Sequence, residues 1–393
     1  RRRCCCLSSA LSSSKTSSAI LISAQCPPLT LLAAPPMEAA EAAMLLPSKR
    51  ARHAQNPQLG GGHGSPVRAV PARRQRLQHR GASVHLASLL GCSPSSRSSY
   101  STSSAACSVT FHGCVGEDDF AESLRRRLEA AGVRPCLARC PGLATGSCIV
   151  LSGGIPGHGG RAFVTCAGAS AQLATEHLEE LRASLRRVPH RAHFHFGGFY
   201  GYSDSLRRAL PAYLQTLRAE AEAAGVLLTV SVDSNAAEAS QLEGLGELLE
   251  LLDLFKGNVA EARLLSGCSS ADEALSAIVR RGRGRCAAVA TSGAEGARFC
   301  PGVAGLQGSV PACPVDILDC TGAGDACCAG LLAAWVALSF ELSLALRVGC
   351  AAGAANCRNI GGCAVPVTMG AVRALLQDGG DVALLGLLPP LPP

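Results

Sequence analysis

The residues best placed to do chemistry lie in the run DCTGAGDACCAG at 319–330. Gly322 and Gly324 allow a tight turn and keep side chains away from anything bound there. The apolar, alanine-rich residues that follow predict a buried helix. A turn that opens a helix leaves backbone N–H groups and the positive end of the helix dipole facing outward, which suits phosphate or a developing negative charge. Asp325 falls in the first helical turn. There it can take the proton of a substrate hydroxyl as general base, or it can serve only to complement the dipole. The run alone leaves both roles open.

Two more groups have suitable types and spacing. FKGNVAEARLL sets Asn258 and Glu261 three apart, after a strand and at the start of a helix. Two oxygen-bearing side chains on one helical face can organise hydrated Mg2+ beside a phosphate. The same spacing is a capping box, with Asn258 as N-cap and Glu261 as its reciprocal partner. ATSGAEG at 290–296 is a glycine loop after the strand AAVA. It can set Thr291, Ser292 and Gly293 beside a nucleotide, and it is equally an ordinary strand-to-strand turn.

The elements that must position these groups follow from periodicity. VTFHGCVG (109–116) predicts a strand, and EDDFAESLRRRLEAAGV after it an amphipathic helix stopped at Gly132. GSCIVLSGG and GRAFVTCAG flank a glycine-rich turn and predict a hairpin. AHFHFGGF, VLLTVSVD, DLFKGN and CAAVAT predict further strands. Between them lie helical patterns, one of which (SDSLRRALPAYLQTLRAEAEAAG) carries Pro211 as a bend or interruption. Strands that are nearly continuous apolar runs, alternating with helices, predict a mostly parallel sheet covered on both faces. Ligands of such folds bind beyond the carboxyl ends of the strands.

In this order the pieces resemble the ribokinase-like (PfkB) family of carbohydrate and nucleoside kinases. DCTGAGDACCAG matches the family signature D-T-x-G-A-G-D-x-x-x-A-G with Cys320 at a departing position, and NVAE matches its N-x-x-E motif. GCVGEDDFAESLRRRLEAAGV is similar to its G-x-V-G-x-D-x-F-G helix, and TGSCIVL with GGRAFVTCAGAS to its T-G and R-x-F strands. The resemblance implies a ribokinase-like three-layer α/β/α fold over residues 81–386, with a mostly parallel central sheet and a small β lid at about 134–168. It implies ATP and Mg2+ as cofactors and transfer of the γ-phosphoryl group to a hydroxyl of a small sugar. Asp325 resembles the catalytic base, and Gly322, Ala323 and Gly324 the anion hole. Asn258 and Glu261 resemble the pair that holds Mg2+ through water. Thr291, Ser292 and Gly293, with Asn258, resemble nucleotide contacts, and the Gly349–Ala355 helix one wall of the adenine site. Gly81, His85 and Arg161 are the corresponding acceptor-side residues. Pairing of two copies through the lid follows by the same analogy. A nucleoside kinase of adenosine type and a catalytically impaired kinase-like scaffold are the alternative readings.

Two departures fall in the acceptor half. The family opens with an apolar strand carrying an Asp, and no such strand is evident in residues 1–80, which predicts a gap or an unpaired edge in the sheet. RGASVHLASLLG stands where a G-G-x-x-x-N-x-A motif is expected, with Arg80 for a glycine and His85 for the Asn.

Composition bounds the rest. The chain of 393 residues is 48% hydrophobic, 17% charged and 4% aromatic, with formal net charge +7. Much of the basic excess precedes residue 81 and lacks aromatic residues, which argues against nucleic acid as a partner. No apolar run is long enough to span a bilayer, so no membrane partner is expected. The 21 cysteines are irregularly spaced, without a pair of C-x-x-C motifs. Cys148, Cys166 and Cys350 read as small core residues in a reducing compartment. Residues 1–80 read as a low-complexity, disordered leader, and 387–393 as a Pro/Leu tail. The first 37 residues have no Asp or Glu and begin with three Arg, a transit-peptide composition. The absence of an initial Met points to a fragment or a wrongly joined exon and weakens the targeting expectation. The expected location is intracellular, in the cytoplasm or in a plastid or other organelle.

Overall fold

The structure is a computed structural model, and it describes residues 18–24, 89–90, 107–152, 161–187, 190–235, 244–302, 305–339 and 341–388. Its strands are β1 (Ser18–Ala24), β2 (Cys107–Val115), β3 (Val133–Arg139), β4 (Ser147–Ser152), β5 (Arg161–Cys166), β6 (Arg191–Gly197), β7 (Leu227–Asp233), β8 (Leu254–Asn258), β9 (Ala287–Thr291), β10 (Ala297–Cys300) and β11 (Gly308–Val310). Nine of them form one sheet in the order β11-β10-β9-β8-β7-β6-β1-β2-β3, and β4 and β5 form a separate antiparallel pair. β3, β2, β6, β7, β8 and β9 share one direction, while β1 runs antiparallel to both β2 and β6.

Helices cover both faces. One layer holds α1 (Asp119–Ala130), and after residue 322 α7 (Ala323–Leu332), α8 (Leu342–Cys357), α9 (Met369–Asp378) and α10 (Val382–Leu387). The other holds α2 (Glu179–Ser184), α3 (Asp204–Ala223), α4 (Leu245–Leu249), α5 (Val259–Ser266) and α6 (Ala271–Arg281). The local chemistry of α1 shows why it forms. Asp118 caps it by accepting from the Ala121 N–H, Leu124 and Leu128 bury one stripe, and Gly132 at φ +76° ends it. α3 runs unbroken through Pro211, which is buried. A proline there removes a single donor from the ladder, and packing of Leu210, Leu214 and Leu217 outweighs that loss.

Three expectations need correction. The segment read as an unstructured leader supplies a strand: Ser18–Ala24 fills the slot between β2 and β6, so the sheet has neither the gap nor the unpaired edge expected there. The rest of residues 1–80, and 389–393 of the tail, lie outside the described residues. The lid expected at 134–168 is smaller than its bounds, because Val133–Arg139 pairs in parallel with β2 as an edge of the main sheet. Pro135 is compatible with that place, since an edge strand leaves one row of N–H groups unpaired. Cys148 and Cys350 are buried as expected, whereas Cys166 is exposed at the end of the lid hairpin.

The alternation in HFHF sorts β6 across the sheet. Phe194 and Phe196 enter the α3 layer, and His193 and His195 enter the layer beneath α7. There the two rings join a buried hydrogen-bonded chain. Thr229 Oγ1 is 2.8 Å from His193 Nδ1, Ser231 Oγ is 2.8 Å from both His193 Nε2 and His195 Nδ1, and His195 Nε2 is 3.7 Å from Cys328 Sγ. Burial lowers the His195 pKa to about 4 despite the nearby Asp233 carboxylate, and it lowers that of His112 on β2 to about 4 as well. Both rings are therefore neutral when folded and protonatable when unfolded. Between the unperturbed value of 6.5 and about 4 the unfolded chain binds protons that the folded chain does not. Stability is therefore expected to fall as pH drops through that window, by about 1.4 kcal/mol per pH unit for each ring. Urea unfolding at stepped pH measures this; a midpoint independent of pH below neutrality would contradict it.

Candidate active site

The ends of β7, β8 and β9 converge on the start of α7. Asp233 closes β7, Lys256 to Asn258 close β8, and Thr291 closes β9, where Asn258 and Thr291 are register partners. Lys256 has the sheet position of an apolar residue, and its ammonium is buried against Asp233 Oδ2 at 3.1 Å. Burial disfavours that ammonium, but the Asp233 carboxylate outweighs burial and holds its pKa above the ordinary lysine value. A Cβ built on Gly324 would lie 3.7 Å from Lys256 Nζ, so the positive charge sits directly under the glycine turn.

The turn is held from three sides. Asp319 Oδ1 accepts from the Thr321 N–H at 2.8 Å, and Asp319 Oδ2 accepts from the Gly361 N–H at 2.9 Å. The fully buried Asn356 of α8 donates from Nδ2 to the Thr321 carbonyl at 2.8 Å. Gly322 is the N-cap of α7 at φ +79° and offers no side-chain cap, so the helix end stays open. The Gly324 N–H finds no acceptor among the described residues. Asp325 is half-buried one residue further along. α7 can come this close to α8 because both carry small residues: a Cβ on Gly349 would lie 2.8 Å from the Cys327 carbonyl oxygen, and one on Gly353 3.1 Å from that of Ala323.

Gly322 has two reasons to be glycine. Its left-handed φ disfavours any L side chain, and a Cβ would lie 2.5 Å from the Gly362 Cα. Gly322→Ala is expected to cost more than the ~1–2 kcal/mol of the left-handed conformation alone, because backbone must also move. Thermal unfolding of the two proteins measures this cost, and an unchanged Tm would contradict this account of the turn.

Asn258 and Glu261 form the capping box expected of their spacing. Asn258 Oδ1 accepts from the Glu261 N–H at 2.8 Å, and Glu261 Oε2 accepts from the Asn258 N–H at 3.0 Å. Glu261 Oε2 also accepts from Ser234 Oγ at 2.8 Å. The two bonds that Glu261 accepts both fall on Oε2 of its buried carboxylate, and Oε1 takes neither. Capping therefore leaves Glu261 an acceptor for a metal-bound water, and the donor set fits a hard cation held through water. Among the described residues no cluster of three His, Cys, Asp or Glu side chains could bind a metal directly.

Thr291 Oγ1 donates to the Gly257 carbonyl at 3.4 Å, which ties the glycine loop to β8. Ser292 turns inward on its own loop, its N–H bonded to the Gly296 carbonyl and its hydroxyl to Glu295. Gly293 is exposed with open space around it. The structure thus seats the Gly324 turn over Lys256, and sets Asn258, Glu261 and Thr291 at the ends of β8 and β9 just beyond that lysine. The Gly349–Ala355 stretch is buried, and Gly349 and Gly353 face α7. Gly81 and His85 lie outside the described residues, and Arg161 is placed only as backbone at the start of β5. Lys256 and Asp233 escaped the sequence reading. The available signal was a lysine inside the short apolar run LFKGN.

A glycine turn opening a buried helix above the carboxyl ends of parallel strands, with a two-stranded lid beside the sheet, is ribokinase-like in class. The sequence matches the pfkB family carbohydrate kinases over residues 96–368, more than half of its length, and the chain belongs to that family. Solved structures share the fold at low identity. An E. coli protein in complex with ATP and Mg2+ is 23% identical, with a TM-score of 0.60 over 76% of this chain and 88% of that one. A Vibrio cholerae fructokinase bound to fructose, ADP and calcium is 22% identical, with a TM-score of 0.59 over 75% and 89%. An Anopheles gambiae adenosine kinase is 21% identical, with a TM-score of 0.55 over 70% and 78%. No curated protein matches the chain. Among the described residues no helix is long and apolar enough to cross a membrane.

Proposed function

We propose that the protein transfers the γ-phosphoryl group of ATP to a hydroxyl of a small sugar. The observation that carries this reading is the Gly324 turn, open at the start of α7 and seated on the buried Lys256 ammonium beside Asp325. Asp325 takes the hydroxyl proton, the freed oxygen bonds to the γ-phosphorus, and the bond to the ADP oxygen breaks. The backbone of Gly322, Ala323 and Gly324, with the Lys256 charge beneath, stabilises the negative charge on the transferring group. The ends of β8 and β9, with Asn258, Thr291 and the exposed Gly293, support the nucleotide. Glu261 and Asn258 would hold Mg2+ through water, and the bound ion would neutralise phosphate charge. The lid hairpin excludes water that would otherwise compete as acceptor.

A sugar is the first choice of acceptor because the family is one of carbohydrate kinases and the Vibrio cholerae relative carries fructose. A nucleoside is the second choice, on the strength of the fold shared with an adenosine kinase. The test is a panel of pentoses, hexoses and nucleosides incubated with ATP, with Mg2+ or with excess EDTA. A sugar phosphate formed only in the presence of Mg2+ is the expected result. Phosphorylation confined to nucleosides would replace the acceptor class, and failure of every acceptor together with failure to bind ATP would overturn the reading.

A further inference from the structure

At the opposite end of the sheet, where the parallel strands begin, a cavity of about 620 Å3 opens beside Thr229, Asp253 and Ala287. Its position behind β7, β8 and β9 separates it from the glycine turn by the length of those strands. The volume lies within the range of small-molecule sites, roughly 300–1,000 Å3. Trp335, Phe299 and Leu342 supply its apolar wall.

That wall is preformed. Trp335 lies in a π-helical turn, Ala333–Ala337, closed by Ser339 at φ +57°. Its indole packs edge-on to His193 at 5.8 Å, and both His193 ring nitrogens are held by Thr229 and Ser231. π-helical turns and non-glycine residues at positive φ cost free energy and tend to occur at functional sites. Nothing in the phosphoryl-transfer reading uses either of them.

The charges at the cavity are of two signs. Asp253 is paired with Arg218 at 2.6 Å and with Arg285 at 3.2 Å, so the trio carries one surplus positive charge, and the half-exposed Arg285 presents it to the cavity. Glu341 also lines the cavity and makes no ion pair among the described residues. Arg285 and Glu341 line the same cavity as Trp335, Phe299 and Leu342, so its lining offers a cation, an anion and an apolar surface to a single small zwitterion. We propose that this cavity is a second ligand site, for a free amino acid with a large apolar side chain. Arg285 receives the carboxylate, Glu341 receives the ammonium, and the side chain lies against Trp335 and Phe299.

Trp335 is the only tryptophan in the chain, so its emission reports on this cavity alone. The experiment titrates the full chain, without ATP, with L-leucine, 3-methylbutylamine, 4-methylpentanoate and glycine. Leucine is expected to shift the emission saturably. Each of the other three removes one recognised group and is expected to bind about tenfold or more weakly. Arg285→Ala and Glu341→Gln are each expected to weaken leucine by a similar factor. The absence of a saturable change at millimolar leucine would overturn the site. An amine or acid that binds as tightly as leucine would overturn the ligand class, whatever the variants do. Because ATP is absent throughout, failure here is distinct from failure of phosphoryl transfer.

Discussion

Asp325→Asn is expected to lower kcat by about 10²–10⁴-fold, a barrier increase of roughly 3–5 kcal/mol, with the fold and ATP affinity retained. The amide has the shape of the carboxylate and cannot take the hydroxyl proton. Its effect on stability should be small, because a carboxylate in the first turn of a helix contributes only about 0.3–1 kcal/mol through the dipole. This contrast separates the two roles open to Asp325 from its sequence context. A residue that only complements the dipole would lose that fraction of a kcal/mol and leave the rate unchanged. Steady-state kinetics of the two proteins, beside their urea midpoints, decide between them. Equal rates would remove Asp325 from the chemistry.

The largest expected effect on stability belongs to Lys256. Lys256→Met leaves the Asp233 carboxylate buried without its 3.1 Å partner. Breaking a buried pair from one side costs about 3–5 kcal/mol, because the remaining charge loses its counter-ion. Replacing both partners removes the charge altogether and is often neutral or stabilising. The double variant Lys256→Met/Asp233→Leu should therefore recover most of the stability lost by the single variant. It should not recover activity, because the cation under Gly324 is gone, and loss of one such stabilising group costs about 10²–10³-fold in rate. Urea unfolding and kinetics on the two variants separate these effects. A double variant no more stable than the single one would show that Lys256 and Asp233 are not energetically coupled. A fully active double variant would show that the charge does not serve the turn.

The part of the site that was legible in the sequence is local. The glycines of DCTGAGD, the helix after them and the capping box of NVAE are each decided by a few adjacent residues, and each stands where its spacing put it. The restraints that hold those pieces are long-range. Asp319 reaches Gly361, Asn356 reaches Thr321, and Asp233 reaches Lys256 across neighbouring strands. No periodicity announces these pairs, because each depends on register between distant elements. The mostly parallel sheet was legible for the opposite reason: apolar runs such as AAVA and VLLTV bury both faces and leave few alternatives. VRPCLAR, with two arginines and a proline, lacks that signal, and pairing at the sheet edge tolerates it. Ser18–Ala24 is apolar enough to form a strand, but it is flanked by low-complexity sequence. Only the open slot between β2 and β6 gives it a partner on both sides.

The most direct test of phosphoryl transfer at the Gly324 turn is a 31P NMR time course with ATP, Mg2+ and a sugar, run in parallel on the native protein and on Asp325→Asn. The native protein should convert ATP to ADP and a sugar phosphate in equal amounts, and Asp325→Asn should leave the ATP signals essentially unchanged over the same interval. Sugar phosphate appearing at the same rate in both samples would contradict the assignment of Asp325. ADP accumulating with inorganic phosphate, and no sugar phosphate in either sample, would contradict the transfer itself.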